Sequence, residues 1–260
     1  MKKNIRFILI DIDDCLLPTD GRFHLNYFTG LPEVAHCVKK AERGEIPPIG
    51  FCTGRDRNYV EAVAFSLLLP NSWSIIESGI SLFNPFTKEM LLNPMLTPEI
   101  EEAFRRIKQE RLPQILNKFP GLFNYPGNII NIALERRNGM ELDIEECYEA
   151  VAKEFDDLVS QDLVTIHHSN SAVDISPQGI DKAAGIKFLA EKTGITPAQM
   201  LGIGDSRGDF PMLRIVGSSG CPSNASEECK KLIGKKGGYI SPHQYAKGVA
   251  DVLDHYFNKG

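Results

Sequence analysis

No stretch of this 260-residue chain approaches the roughly 20 apolar residues that a membrane-crossing helix requires, so no membrane partner is expected. Positive charge is not in surplus either. Twenty-nine Lys and Arg against 34 Asp and Glu leave a net charge of -5, which offers nothing to nucleic acid or an anionic bilayer. The apolar run 5–10 is broken by Arg6, ends in Asp11 and lacks a small-residue cleavage site, so it is not expected to be a signal peptide. Cys15, Cys37, Cys52, Cys147, Cys221 and Cys229 show no C-x-x-C spacing. They are expected to be free thiols in a reducing cytoplasm rather than a disulfide or zinc framework. Internal repeats, low-complexity tracts and long linkers are absent too.

What remains is a chain with 42% apolar and 24% charged residues, an ordinary globular balance, and long enough for a core domain plus a smaller one. The β-branched run 6–13 predicts a strand covered on both faces. A helix over 32–43 follows, with Pro32 at its start and Gly44 past its end. A second buried strand is expected at 46–53, a helix over 57–69 closed by Pro70, and a third strand at 74–77. The rhythm returns with a helix over 181–192 and a strand at 200–204. Strands alternating with helices predict a doubly wound, mostly parallel Rossmann-like α/β sheet. The middle block differs. It carries a helical stretch over 98–119 broken near Pro113, a half-buried strand at 128–136, a helix over 144–159 and paired strands at 163–167 and 172–175. We therefore expect a core made of 1–83 and 178–260, with an α+β cap inserted at 84–177.

Three loops at predicted strand ends carry chemistry. Asp11 and Asp13 stand two apart on a strand and so point to one side, beyond the carboxyl end where open α/β sheets bind ligands. Asp14 adds a third acid. Clustered carboxylates must protonate, pair with cations or bind a metal. A second acidic loop runs from Gly204 and Asp205 to Gly208 and Asp209. Asp209 there could simply cap the helix that begins at Phe210-Pro211. The glycine spacing is not that of a dinucleotide fingerprint. Two acidic strand ends in one sheet favour a shared hard cation, and oxygen donors with few Cys or His suit Mg2+. At the third loop, Thr53, Gly54 and Arg55 offer a hydroxyl, room for close approach and free N–H groups to a phosphate; the same residues would also serve a plain strand-to-helix turn. Lys182 opens a helix, where a cation opposes the macrodipole, so a need for positive charge would explain it.

In this order the segments resemble the haloacid dehalogenase-like hydrolase superfamily. Asp11-Ile12-Asp13-Asp14-Cys15 resembles its first motif, Thr53 its second, Lys182 its third, and Gly204-Asp205 with Asp209 its acidic fourth. The block between the second and third motifs is similar to the cap of the Cof-like, sucrose-phosphatase-like and mannosyl-phosphoglycerate-phosphatase-like branch. Ser176 to Lys182 and Cys221 to Ala225 are similar to that branch as well. The resemblance implies a Mg2+-dependent phosphatase. Asp11 would be the nucleophile, forming an aspartyl-phosphate, and Asp13 the general acid and then base. The metal would be held by Asp11, Asp205 and Asp13 (through its backbone carbonyl), supported by Asp209. Thr53 and Lys182 would hold the phosphate, with Gly54, Arg55 and Asn224 also on the substrate side. Three positions depart from the branch's pattern: Asp14-Cys15 in place of Gly-Thr, Gly208 in place of Asn, and Ser78 in Glu77-Ser78-Gly79.

The expected partner is a small phosphorylated metabolite, a sugar phosphate first and a small acid such as phosphoglycolate next, acted on by a monomer or homodimer. Arg105, Arg136, Arg137, His167 and His168 are candidate contacts on the cap. A phosphomutase of the same fold is the nearest alternative. A non-catalytic binding or regulatory protein on this scaffold is the other, and loss of Asp11, Asp13, Lys182 or Asp205 would favour it; all four are present.

Overall fold

A computed structural model describes residues 4–69, 71–137, 139–168 and 172–258; Pro70, expected to close a helix, lies outside them. The chain divides into two compact units, 1–91 with 181–260, and 92–180.

In chain order the first unit opens with β1 (Phe7–Ile10), α1 (Leu25–Glu42), β2 (Ile49–Phe51), α2 (Arg57–Ser66), β3 (Ser74–Ile76) and β4 (Ser81–Phe83). Next come β5 (Met90–Leu92), α3 (Pro98–Arg106), α4 (Leu112–Lys118), β6 (Leu122–Asn124) and β7 (Ile132–Arg136). α5 (Ile144–Glu154), α6 (Asp156–Val159), β8 (Val164–His168) and β9 (Ala172–Pro177) complete the second unit. The chain then returns to the first with α7 (Lys182–Thr193), β10 (Met200–Ile203), α8 (Phe210–Ile215), β11 (Ser218–Cys221), α9 (Glu227–Lys235), β12 (Tyr239–Ile240) and α10 (Tyr245–Phe257).

The first unit's sheet is parallel, in the order β12-β11-β10-β1-β2. Every residue of β1 and β10 is buried, as two-sided cover demands. Side chains alternate between the faces. Ile8, Ile10, Ile49, Phe51, Leu201 and Ile203 join the core with α1, α2 and α10, whereas Phe7, Leu9 and Met200 join the core with α7, α8 and α9. From β1 the chain moves to β2 on one side, while β10 lies on the other. The strand order thus reverses at β1, and the crevice beyond the ends of β1 and β10 is the ligand position of such sheets.

β3 adjoins β2 through the Cys52–Ile75 bridge and pairs antiparallel with β4, which pairs with β5. That pairing keeps residues 84–91 in the first unit, beyond the boundary expected at 83. Helix α1 begins seven residues before Pro32 instead of at it. One proline costs a single backbone bond, and packing of Val34, Cys37 and Val38 in the core carries the helix through. In the second unit the sheet order is β6-β7-β9-β8, all antiparallel. The helical stretch near Pro113 passes through a π-helical turn, Ile107–Arg111, before α4. All six cysteines are buried and free.

Candidate active site

Asp11 follows β1 directly, and its N–H donates to Ile203 of β10 at 2.9 Å, so the first carboxylate is anchored beside the strand that leads to Asp205. Lys182 is the first residue of α7, whose cap is Asp181, accepting from the Ala184 N–H at 2.9 Å. Its ammonium donates to Asp11 Oδ1 at 2.8 Å and to Asp209 Oδ1 at 2.7 Å. The helix can come this close because two glycines face each other. A Cβ on Gly185 would lie 2.8 Å from Gly79 Cα, and one on Gly79 would lie 2.1 Å from the Asp181 carbonyl oxygen. Gly79 also holds φ +109°, a region open to glycine.

Asp209 does not merely start α8. Its Oδ2 accepts from the N–H groups of Asp205 at 2.8 Å and Ser206 at 3.1 Å, folding the second acidic loop around one carboxylate. Gly204 leaves space for that fold, since a Cβ there would sit 2.5 Å from Asp209 Cγ. Asp11, Asp205 and Asp209 thereby converge, each offering an oxygen within 4.8 Å of the others, and all three are buried.

Three carboxylates against one ammonium leave excess negative charge in a place with little water, and the titration follows. Burial pushes Asp11 up to about 7, with Asp209 adding to the rise and Lys182 opposing it. Burial, then Asp209 and Asp11, pushes Asp205 up to about 9. Burial works against the Lys182 charge, but Asp11 and Asp209 outweigh it and hold the ammonium well above its ordinary range.

The donor set fits a hard divalent cation. Asp205 Oδ1 is buried and has no hydrogen-bond partner among the described residues, a costly arrangement for a carboxylate unless a cation meets it. All the donors are oxygens, which suits Mg2+.

The Asp13 carboxylate stands outside this cluster. Arg55 grips it from both sides, Nε to Oδ2 at 2.8 Å and Nη2 to Oδ1 at 2.9 Å, and the Tyr59 hydroxyl reaches Oδ1 at 3.4 Å. Of the residues expected at the metal, Asp13 therefore brings no side-chain oxygen to the acidic group. Thr53 is fully buried at the end of β2, and its hydroxyl accepts from the Arg55 N–H at 3.2 Å, as in a turn. Gly54 has open space beside it except for Ser78 Oγ, 3.3 Å from a built Cβ. Asp14 takes a left-handed backbone, φ 55°, and its carboxylate accepts from the N–H and hydroxyl of Thr19. That local turn accounts for an acid that the sequence left unexplained. Asn224 donates to the Asp14 carbonyl at 2.6 Å and accepts from the Tyr245 N–H at 2.9 Å.

The residues singled out in the second unit sit in different local settings. Arg105 pairs with Glu102 and Gln109 on its own helical face. Arg137 donates to the Leu122 carbonyl, and Arg136 is exposed. His167 meets Thr165, while His168, on the opposite face of β8, packs at a tilt against Tyr148 near Glu145. Tyr59 was not anticipated, because a tyrosine in the first turn of a helix carries no signal of its own.

Residues 138–253 match the model of the haloacid dehalogenase-like hydrolase family. Over 115 residues the chain is 34% identical to a phosphoglycolate phosphatase from Methanospirillum hungatei, covering 44% of this chain and 48% of that one. The match thus spans about half that relative's length. A phosphoglycolate phosphatase from Methanopyrus kandleri is 25% identical over 247 residues, 95% and 94% of the two chains. Among solved structures, the sucrose-phosphatase from Synechocystis, in complex with sucrose and phosphate, superposes with a TM-score of 0.66 at 17% identity, over 98% of both chains. Through residues 138–253 the chain is similar to the haloacid dehalogenase-like hydrolases. Its fold is that of the Cof-like and sucrose-phosphatase-like branch.

Proposed function

We propose that this chain is a Mg2+-dependent phosphatase that transfers a phosphoryl group from a small phosphomonoester to Asp11 and then hydrolyses the aspartyl-phosphate. The observation that carries the reading is the convergence of buried Asp11, Asp205 and Asp209 on Lys182 at the point where the strand order reverses.

Lys182 holds Asp11 Oδ1, which leaves Oδ2 without a hydrogen-bond partner among the described residues. An Asp11 oxygen forms the new bond to phosphorus while the ester P–O bond breaks. Asp13, in the protonated form that an anionic phosphate beside it favours, gives its proton to the departing oxygen, then takes one from the water that attacks the aspartyl-phosphate and releases inorganic phosphate. Thr53 and Lys182 orient the phosphate, with Gly54 and Arg55 beside it. Asp11, Asp205 and the Asp13 backbone would hold Mg2+, with Asp209 shaping the loop. The cation supplies charge neutralisation, without which an anionic phosphate would not approach so acidic a site.

The leaving group is a sugar or a small acid, and the names of the curated relatives put phosphoglycolate on the first panel. Free, buried thiols suit a reducing cytoplasm. The test is phosphate release from sugar phosphates and small phosphorylated acids, with Mg2+ or EDTA, by wild type and Asp11→Asn. Release that requires Mg2+ and disappears in the variant supports the reading. Equal activity in Asp11→Asn removes the nucleophile assignment, and phosphate retained on an isomerised product would make the protein a mutase.

A further inference from the structure

The two acidic loops come from distant parts of the chain, and their carboxylates must be held at a fixed separation although they repel one another. β1 and β10 set the strand ends, but Asp14 and Asp205 lie beyond the ladder. One short turn, residues 222–226, reaches both. The Ser226 N–H donates to the Asp205 carbonyl at 2.8 Å. Two residues earlier, the Asn224 amide donates to the Asp14 carbonyl at 2.6 Å. The turn is itself tied down, since the Ser223 N–H donates to the His243 carbonyl at 2.8 Å and Asn224 Oδ1 accepts from the Tyr245 N–H at 2.9 Å.

Both backbones that Asn224 bridges are in the left-handed region, Asp14 at φ 55° and Tyr245 at φ 49°. Neither is glycine, so each conformation needs outside support. The segment that leaves Asp14 is also fastened farther on. His24 contacts the Asp20 carboxylate at 2.9 Å, and its ring packs at a tilt against that of Tyr245, with centroids 4.7 Å apart. Both ends of the 14–24 segment therefore lead to the anchor at Tyr245.

On the proposed phosphatase reading, we infer that Asn224 is a positioning residue rather than a substrate contact: through the 222–226 turn it sets the loop of Asp11 and Asp13 against the loop of Asp205. Its amide has one donor and one acceptor direction committed to backbone. Only Asn among small side chains supplies both at this reach, because Asp lacks the donor and Ser is shorter.

The experiment compares wild type, Asn224→Ala and Asn224→Asp, with melting temperature read against Mg2+ concentration and steady-state kinetics at saturating Mg2+. The variants are expected to fold and to need about ten-fold more Mg2+ for half of its stabilising effect. Their kcat should be about ten-fold lower, with KM within about two-fold, as for the loss of one geometry-setting hydrogen bond. A KM raised about ten-fold with unchanged Mg2+ response would overturn the inference in favour of substrate contact. Unchanged values throughout would overturn it as well. Should Asn224→Ala fail to fold, Asn224→Asp, which keeps the acceptor toward Tyr245, carries the same comparison. If wild type releases no phosphate, the phosphatase reading fails, while the Mg2+ melting curves still decide whether Asn224 sets the acidic site.

Discussion

Lys182 Nζ lies 2.8 Å from Asp11 Oδ1, joining residues 171 positions apart at a point where both are almost excluded from solvent. The same ammonium holds Asp209, so one cation organises both acidic loops. An ammonium in this setting is costly to desolvate, and its loss is costlier still, because two buried carboxylates would then face each other unpaired.

Lys182→Met should therefore abolish phosphate release and lower stability by about 3–5 kcal/mol, the usual penalty for breaking a buried pair. Added Mg2+ should recover part of the melting temperature but none of the activity. Lys182→Arg should fail too, because a planar guanidinium cannot replace a compact ammonium between two carboxylates. Differential scanning calorimetry with and without Mg2+ checks the first statement, and the phosphate assay the second. Wild-type turnover in Lys182→Met would refute the placement of Lys182 at the phosphate.

The raised acids set the pH dependence of the metal-free protein. Asp205 goes to about 9 and Asp11 to about 7 from an ordinary value of 3.8, so the folded state binds more protons than the unfolded one. Their contribution to stability is full below about pH 4 and declines as pH rises through about 7 and then 9. On the proposed reading Mg2+ would take the place of those protons, so it should bind more tightly as pH rises. In EDTA the melting temperature should fall between about pH 6 and pH 9, and the Mg2+-induced increase should grow over the same interval. An Mg2+ increment that shrinks with rising pH would mean that these carboxylates do not hold the cation.

How much of this was legible beforehand depends on the kind of signal. The parallel sheet was readable because runs such as 7–10 and 200–203 are apolar at every position, which only two-sided burial explains. Asp11, Lys182 and Asp205 stood out because acids at strand ends and a lysine at a helix start go against local preference, whereas Asp209, which would also suit a helix cap, was singled out only through the resemblance. By contrast, the Asp13–Arg55 pair joins two residues that were each assigned elsewhere, the metal and the substrate, and side-chain orientation is not written in spacing. Tyr59 has no local oddity to notice. The Gly79–Gly185 approach was equally hidden, since either glycine alone reads as a turn or a weak helix position. Helix α1 was expected seven residues late because Pro32 looked like a start signal, whereas tertiary packing overrode it.

Arg55 decides how Asp13 is aimed. Its two nitrogens hold both Asp13 oxygens, at 2.8 and 2.9 Å, and Tyr59 braces one of them. On the proposed mechanism Asp13 serves the departing oxygen, so its orientation matters most where that oxygen is a poor leaving group. Arg55→Ala should lower kcat for an alkyl phosphate by about 100-fold, the lower range of what a positioned general acid contributes. For p-nitrophenyl phosphate, whose phenolate leaves without a proton, the loss should stay under about ten-fold. Arg55→Lys should resemble the alanine variant, because a compact ammonium on a flexible stem does not reproduce the planar two-point grip that fixes the carboxylate's orientation. The ratio of the two kcat values, measured side by side at saturating Mg2+, isolates the effect from any change in folding or metal affinity. An equal loss on both substrates would show instead that Arg55 holds the phosphate itself, the role expected from its place after Thr53 and Gly54.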